Sequence, residues 1–177
     1  MHRQTTVRTT TSRARFLALS AMIAALYTAL TLLSALWGLA YGPVQFRLSE
    51  ALTVLPAFTA AAVPGLTVGC LLANLFSGYS TDLVVGTAAT LVAAAATRLV
   101  RNIRWRGLPV AAPLPPVLVN AAVVGAEISV FAPEGFSWAG YLSAALSVGL
   151  GELAVCYGLG LPFAAWMQKS RTLQKLF

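Results

Sequence analysis

This sequence predicts an all-α integral membrane protein of six transmembrane helices with both termini in the cytoplasm. Three observations carry that expectation. Of 177 residues, 58% are hydrophobic and only 10% are charged, whereas soluble domains average about 25% charged. Long apolar runs recur along the chain, and a bilayer core about 30 Å thick is what such runs suit. All the Lys and Arg residues but Arg47 gather in three clusters, at 3–15, 98–106 and 169–175, while the stretches 41–45, 77–81 and 132–137 carry no Lys or Arg. The positive-inside rule places all three clusters on the cytoplasmic face. The net charge of +7 is thus accounted for by topology, and no nucleic-acid partner is expected.

The chain divides into a basic cytoplasmic arm (1–15), a six-helix membrane domain (16–168) and a basic cytoplasmic tail (169–177). The arm, with its arginines among Thr and Ser, is read as a short solvated segment, irregular at its start. The first helix, 16–40, is too long for a signal-peptide core of about 7–15 residues and is read as retained. Ala21, Ala25 and Ala29 repeat at a spacing of four and share one helical face. Small residues so placed let a neighbouring helix approach closely, although an Ala-rich helix also produces the pattern by chance. Trp37 and Tyr41 mark a membrane interface.

Gly42-Pro43 breaks this helix, and the second is expected over 46–61. Pro64 opens the third, which runs to about 77. Asp82 stands where a helix cap would, opening a fourth helix to about 100. Prolines at 109, 113, 115 and 116 lead into a fifth that ends near 132–133. The sixth spans 137–166. Cys70 and Cys156 sit inside apolar segments without a CxxC spacing and read as buried small hydrophobes, with no metal or redox role.

Polar residues in these apolar segments are the informative exceptions, since an ionisable group in hydrocarbon costs several kcal/mol unless it meets a partner or a wet cavity. Arg47 and Glu50, three apart on one predicted helix, are either a structural ion pair or part of a ligand site. Asn74, Asp82 and Glu127 each lie within a few residues of an outer loop. Glu152 lies fourteen residues, about 21 Å of helix, from Trp166 at the inner interface. These groups are therefore expected to converge on one extracellular level, with Asn120 about 10 Å deeper as a floor or a packing amide. Trp138, Tyr141, Trp37 and Tyr41 are candidates to stack on a ligand ring or close the mouth. No catalytic residue is expected: the only histidine is His2, so no His-based triad can form. No GxxxxGK loop is present either, so the chain cannot power transport itself.

A resemblance adds to this reading. Gln45-Phe46-Arg47-Leu48-Ser49-Glu50-Ala51-Leu52, Leu55-Pro56, Pro64-Gly65-Leu66, Gly69-Cys70 and Leu72-Ala73-Asn74 look like the QueT family. The similarity continues through Asp82, Gly86, Thr90-Leu91, Pro115-Pro116, Asn120 and Gly151-Glu152, and spans about 16–168. The family's members are substrate-binding (S) components of energy-coupling factor (ECF) vitamin transporters, assigned to queuosine precursors. The resemblance implies a partner ECF module, made of a transmembrane coupling subunit and two ATPases. It also implies that the Ala21, Ala25 and Ala29 face docks on that coupling subunit.

The expected function is capture of a small, polar, planar solute outside the cell, with a deazaguanine-type queuosine precursor as the implied substrate. Arg47, Glu50, Asn74, Asp82, Asn120, Glu127, Trp138 and Glu152 are the candidate substrate-binding residues. No cofactor is expected, and the remaining partner is membrane lipid of the bacterial plasma membrane. The alternatives are an autonomous small transporter and an S component for a different vitamin-like solute.

Overall fold

A computed structural model describes residues 3–40, 45–77 and 80–170. The first helix, α1 (Arg3–Leu36), already begins within the arm, which is helical from Arg3 onward, while the arm's first two residues lie outside the described residues. It ends four residues earlier than the hydropathy suggests. Gly38 adopts a φ of +70° and its N–H bonds to Ala35 O, while Leu39 N–H bonds to Ser34 O at 3.0 Å. This is the left-handed helix ending for which glycine is favoured, because a Cβ is strained there.

The second segment departs from expectation. In place of a transmembrane α-helix over 46–61 lies a ten-residue 3-10 helix, Leu48–Ala57, almost wholly buried. Pro56 lies within it; having no N–H, it would cost an α-helix a hydrogen bond and clash with the preceding turn. The segment touches α1, α2 (Ala62–Asn74), α3 (Ser80–Leu99), α5 (Trp138–Val155) and α6 (Leu161–Lys169), and so occupies the centre of the bundle. A run of i→i+3 bonds this long is uncommon. One consequence is direct: at three residues per turn, Glu50 and Thr53 stack in a single column, with Arg47 in an extended conformation at its N-cap. In an α-helix each step of three would turn by about 60°.

The remaining helices pack in sequence order, α2 on α1, α3 on α2, α4 (Leu114–Val130) on α3, and α5 on α4. The helix expected over 137–166 is found as α5 and α6 joined by a π-helical turn at Cys156–Gly160. Prolines occupy the first turn of α4, where their missing N–H costs nothing. Three stretches are long and apolar enough to cross a membrane: Ser12–Leu36, Thr81–Asn102 and Trp138–Lys169. The central segment, α2 and α4 are apolar but shorter.

Small residues let neighbouring helices approach closely, and glycines supply such contacts here. A Cβ at Gly65 would lie 2.9 Å from Ile23 Cβ, and one at Gly69 would lie 2.8 Å from Tyr27 Cβ. At Gly125 it would lie 2.7 Å from Ala145 Cα. Around the first contact, Ile23, Tyr27, Leu52, Leu55, Leu66, Cys70 and Met167 form the main apolar core.

Candidate functional site

The 3-10 column fixes where the polar residues go. Its base is held by a stripe of hydroxyls on the buried face of α1, at 27, 31 and 34. Ser34 Oγ accepts from Leu48 N–H at 2.9 Å. Thr31 donates to Ser49 Oγ at 2.7 Å, and the Tyr27 hydroxyl donates to Glu50 Oε1. Tyr27 is completely buried. It belongs to the site although the sequence reading dwelt only on the alanines of the same helix; the Tyr27, Thr31, Ser34 spacing was the signal available.

Arg47, buried, donates from Nε to Ala40 O at 2.9 Å and from Nη2 to Asp82 Oδ2 at 3.0 Å. The carboxylate set on this guanidinium is therefore one that lies 35 residues away, from the first turn of α3. Asp82 forms an interhelical ion pair rather than a simple helix cap. Asn74, at the end of α2, donates from Nδ2 to the Asp82 carbonyl at 2.8 Å. Gly86 makes room one turn on, since a Cβ there would strike Asp82 Oδ1 and come within 3.1 Å of Asn74 Nδ2. Glu127 lies within electrostatic reach of Asp82 and Arg47 and shares a hydrogen bond with Thr81.

A second group forms around Glu50 and Glu152. Asn120 Nδ2 donates to Glu152 Oε1 at 2.8 Å, and Cys156 Sγ lies 3.4 Å from Glu152 Oε2. Thr53 Oγ1 is 3.6 Å from the same sulfur. Glu50, Glu152 and Cys156 bring ligand-capable atoms within 4.8 Å of one another. Cys156 is indeed buried, but it works as a polar member of the cluster and not merely as a small hydrophobe.

The single level expected from counting residues is therefore corrected to two tiers. Glu152 stands with Asn120, not with Glu127, and Glu127 lies seven residues, about 10 Å, further along α4. One tier holds Arg47, Asn74, Thr81, Asp82 and Glu127; the other holds Tyr27, Glu50, Thr53, Asn120, Glu152 and Cys156. Trp138 is not brought into either. It is 72% exposed and packs edge-on against Phe136 and Tyr141 at the start of α5. Trp37 is exposed as well, and Tyr41 lies outside the described residues. The stripe of Ala21, Ala25 and Ala29 is exposed on α1, opposite the buried hydroxyls.

The seam is rich in acceptors. Among the described residues, five buried side-chain polar atoms lack a partner: Glu50 Oε2, Asn74 Oδ1, Asp82 Oδ1, Thr87 Oγ1 and Glu127 Oε2. Four of the five are oxygens of residues that the sequence singles out, and a carboxylate or amide oxygen can only accept. Buried polar groups are normally paired, and these oxygens retain the capacity to accept a further hydrogen bond.

The chain matches the QueT transporter family over residues 17–169. Over 72 residues, 41% of this chain, it is 40% identical to the queuosine precursor transporter QueT of Lactococcus lactis subsp. cremoris (strain MG1363). That stretch spans 43% of the relative's length, less than half. No solved structure matches. With a buried polar seam inside a bundle that has three helical stretches of membrane length, and a family match that leaves out only the two ends of the chain, this protein belongs to the QueT transporter family.

Proposed function

We propose that this protein is the substrate-binding S component of an ECF-type importer and captures a deazaguanine-type queuosine precursor on the extracellular side. The observation that carries the reading is the set of unmatched acceptors on Glu50, Asn74, Asp82 and Glu127. A guanine-like edge presents adjacent N–H donors, which a desolvated carboxylate takes in a two-bond fork. The family match and the name of the Lactococcus relative point to the same solute class. The exposed Ala21, Ala25 and Ala29 face offers a coupling subunit a small-residue surface for close helix contact. ATP hydrolysis then belongs to the partner module, and both ends of this chain face the cytoplasm of a bacterium, beside its plasma membrane. Two measurements test the proposal: mass spectrometry of compounds released from the purified protein, and pull-down of an ATPase-bearing module from the native membrane. A released deazaguanine together with co-purifying ATPases is the expected result. ATP-independent uptake by the reconstituted chain alone would identify an autonomous carrier.

A further inference from the structure

We infer that the arginine-rich stretch closing α3, residues 98–107, is a binding site for the phosphate of an acidic phospholipid, with Arg101, Arg104 and Arg106 as the donors. The inference goes beyond the proposed function and does not depend on which solute is carried. The membrane-length stretch Thr81–Asn102 ends here, on the face that the distribution of Arg and Lys predicts to be cytoplasmic. Residues 103–107 therefore stand at headgroup depth. Bulky apolar and basic side chains alternate among them: Ile103 and Trp105 are exposed, and so are Arg104 and Arg106. An indole rests where tails meet headgroups, and guanidiniums beside it reach the phosphates.

The turn has a defined construction. Trp105 and Leu108 exchange both backbone hydrogen bonds, at 2.9 and 3.0 Å, around Arg106 and Gly107, whose φ values are +50° and +84°. A two-residue turn of this kind favours Asn or Asp before its glycine, and an arginine in the left-handed region is uncommon. The Arg106 guanidinium lies over the Trp105 ring, 4.8 Å from its centroid. Arg104 folds across the same turn, donating from Nε to Arg101 O at 3.3 Å and from Nη1 to Gly107 O at 3.4 Å, and lies over the Phe58 ring. Gln168, near the end of α6, donates to Gly107 O at 3.0 Å, which brings the exposed Lys169 to the same edge. Carbonyls and ring faces thus hold the arginines in place and leave guanidinium donors unused.

No side-chain carboxylate neutralises them. The chain's five acidic residues are the four carboxylates of the two polar tiers and Glu134, beyond the other end of α4. Arg98 lies within electrostatic reach of Arg101 and adds to the same field. Like charges gathered without a counter-ion favour an anion, and a phosphodiester accepts the two parallel bonds that a guanidinium fork gives. Basic clusters just beyond a membrane helix attract acidic headgroups of the cytoplasmic leaflet in this way. An arginine where glycine would fit more easily is explained by what its guanidinium binds.

The test is native mass spectrometry of the full-length protein released from mixed micelles that hold phosphatidylglycerol and phosphatidylcholine of matched chains in equal amounts. The unaltered protein is expected to retain phosphatidylglycerol about tenfold over phosphatidylcholine. Arg104→Gln with Arg106→Gln should bring the two lipids level. Arg13→Gln with Arg15→Gln removes the same charge from the N-terminal arm and should leave the preference unchanged. Arg106→Gly separates binding from folding, because glycine relieves the left-handed φ. Its melting temperature should equal or exceed the parent's while the preference falls roughly fivefold. Equal retention of the two lipids by the unaltered protein overturns the site, as does a preference unchanged in both turn variants. An equal loss in the arm variant reduces the effect to net charge and overturns it as well. Displacement of phosphatidylglycerol by an equal concentration of inorganic phosphate would overturn the lipid as occupant.

Discussion

Asp82 and Glu127 are both carboxylates of the same tier, yet their removal should have different consequences. Asp82 shares a buried ion pair with Arg47, and removing one partner of such a pair strands the other charge, at about 3 kcal/mol or more. Asp82→Asn is therefore expected to melt well below the parent in detergent, whereas Glu127→Gln, half-buried, should melt near it. Equal melting temperatures would show that the pair does not hold α3 to the central segment. Glu50→Gln is a test of recognition instead. The glutamine can still accept from Tyr27, but the unmatched oxygen gives way to a donor. Loss of a charged acceptor costs about 1.5–3 kcal/mol, roughly tenfold to over a hundredfold in affinity. Calorimetric titration of a deazaguanine beside a melting curve separates the two cases: unchanged affinity removes Glu50 from the site.

Among the elements, α1 divides its work by face. Ile23 and Tyr27 point into the bundle, and Ala21, Ala25 and Ala29 point out. Ala21→Leu with Ala25→Leu should abolish ATP-driven uptake by the whole transporter and leave ligand affinity unchanged, because the added bulk faces away from the seam. Parallel loss of binding would contradict a docking role for this face. The central 3-10 segment is where reading the sequence fell shortest. Its apolar composition resembles a membrane helix; what accompanies the tighter coil is Pro56, which the sequence displays, together with contacts from α1, α3 and the π turn, which are not visible locally. The identities of Arg47, Glu50, Asn74, Asp82, Asn120, Glu127 and Glu152 were legible because charge and amide stand out against apolar sequence. Their pairing was not, since Arg47 with Asp82, Tyr27 with Glu50 and Asn120 with Glu152 are brought together only by the fold. The Gly65-x-x-x-Gly69 spacing is likewise plain in the sequence, but its partner helix is not.

For the molecule as a whole, the distribution of Arg and Lys predicts which ends face the cytoplasm, and single cysteines can check it. Glu134 and Arg104 are exposed at opposite ends of α4 and its preceding loop. They suit substitution better than Gly135 and Gly107, whose φ values of +76° and +84° would strain a cysteine. Both native cysteines are buried, so the introduced thiol dominates labelling. Glu134→Cys should react with an impermeant reagent in intact cells, and Arg104→Cys only after the membrane is opened. The reverse pattern would invert the topology.

The contact of Gly65 and Gly69 with α1 has a mechanical consequence. With Ile23 and Tyr27 seated on those glycines, α1 cannot roll about its axis without lifting the phenol from Glu50. The helix is a strut: one side is braced against Glu50, the acid proposed to meet the solute, and the other is the exposed alanine face proposed to meet a partner. Its posture relative to α2 should then be the same with solute present or absent. Paired spin labels at Ala25 and Val68, both exposed, would register a change in their separation if the strut instead pivots.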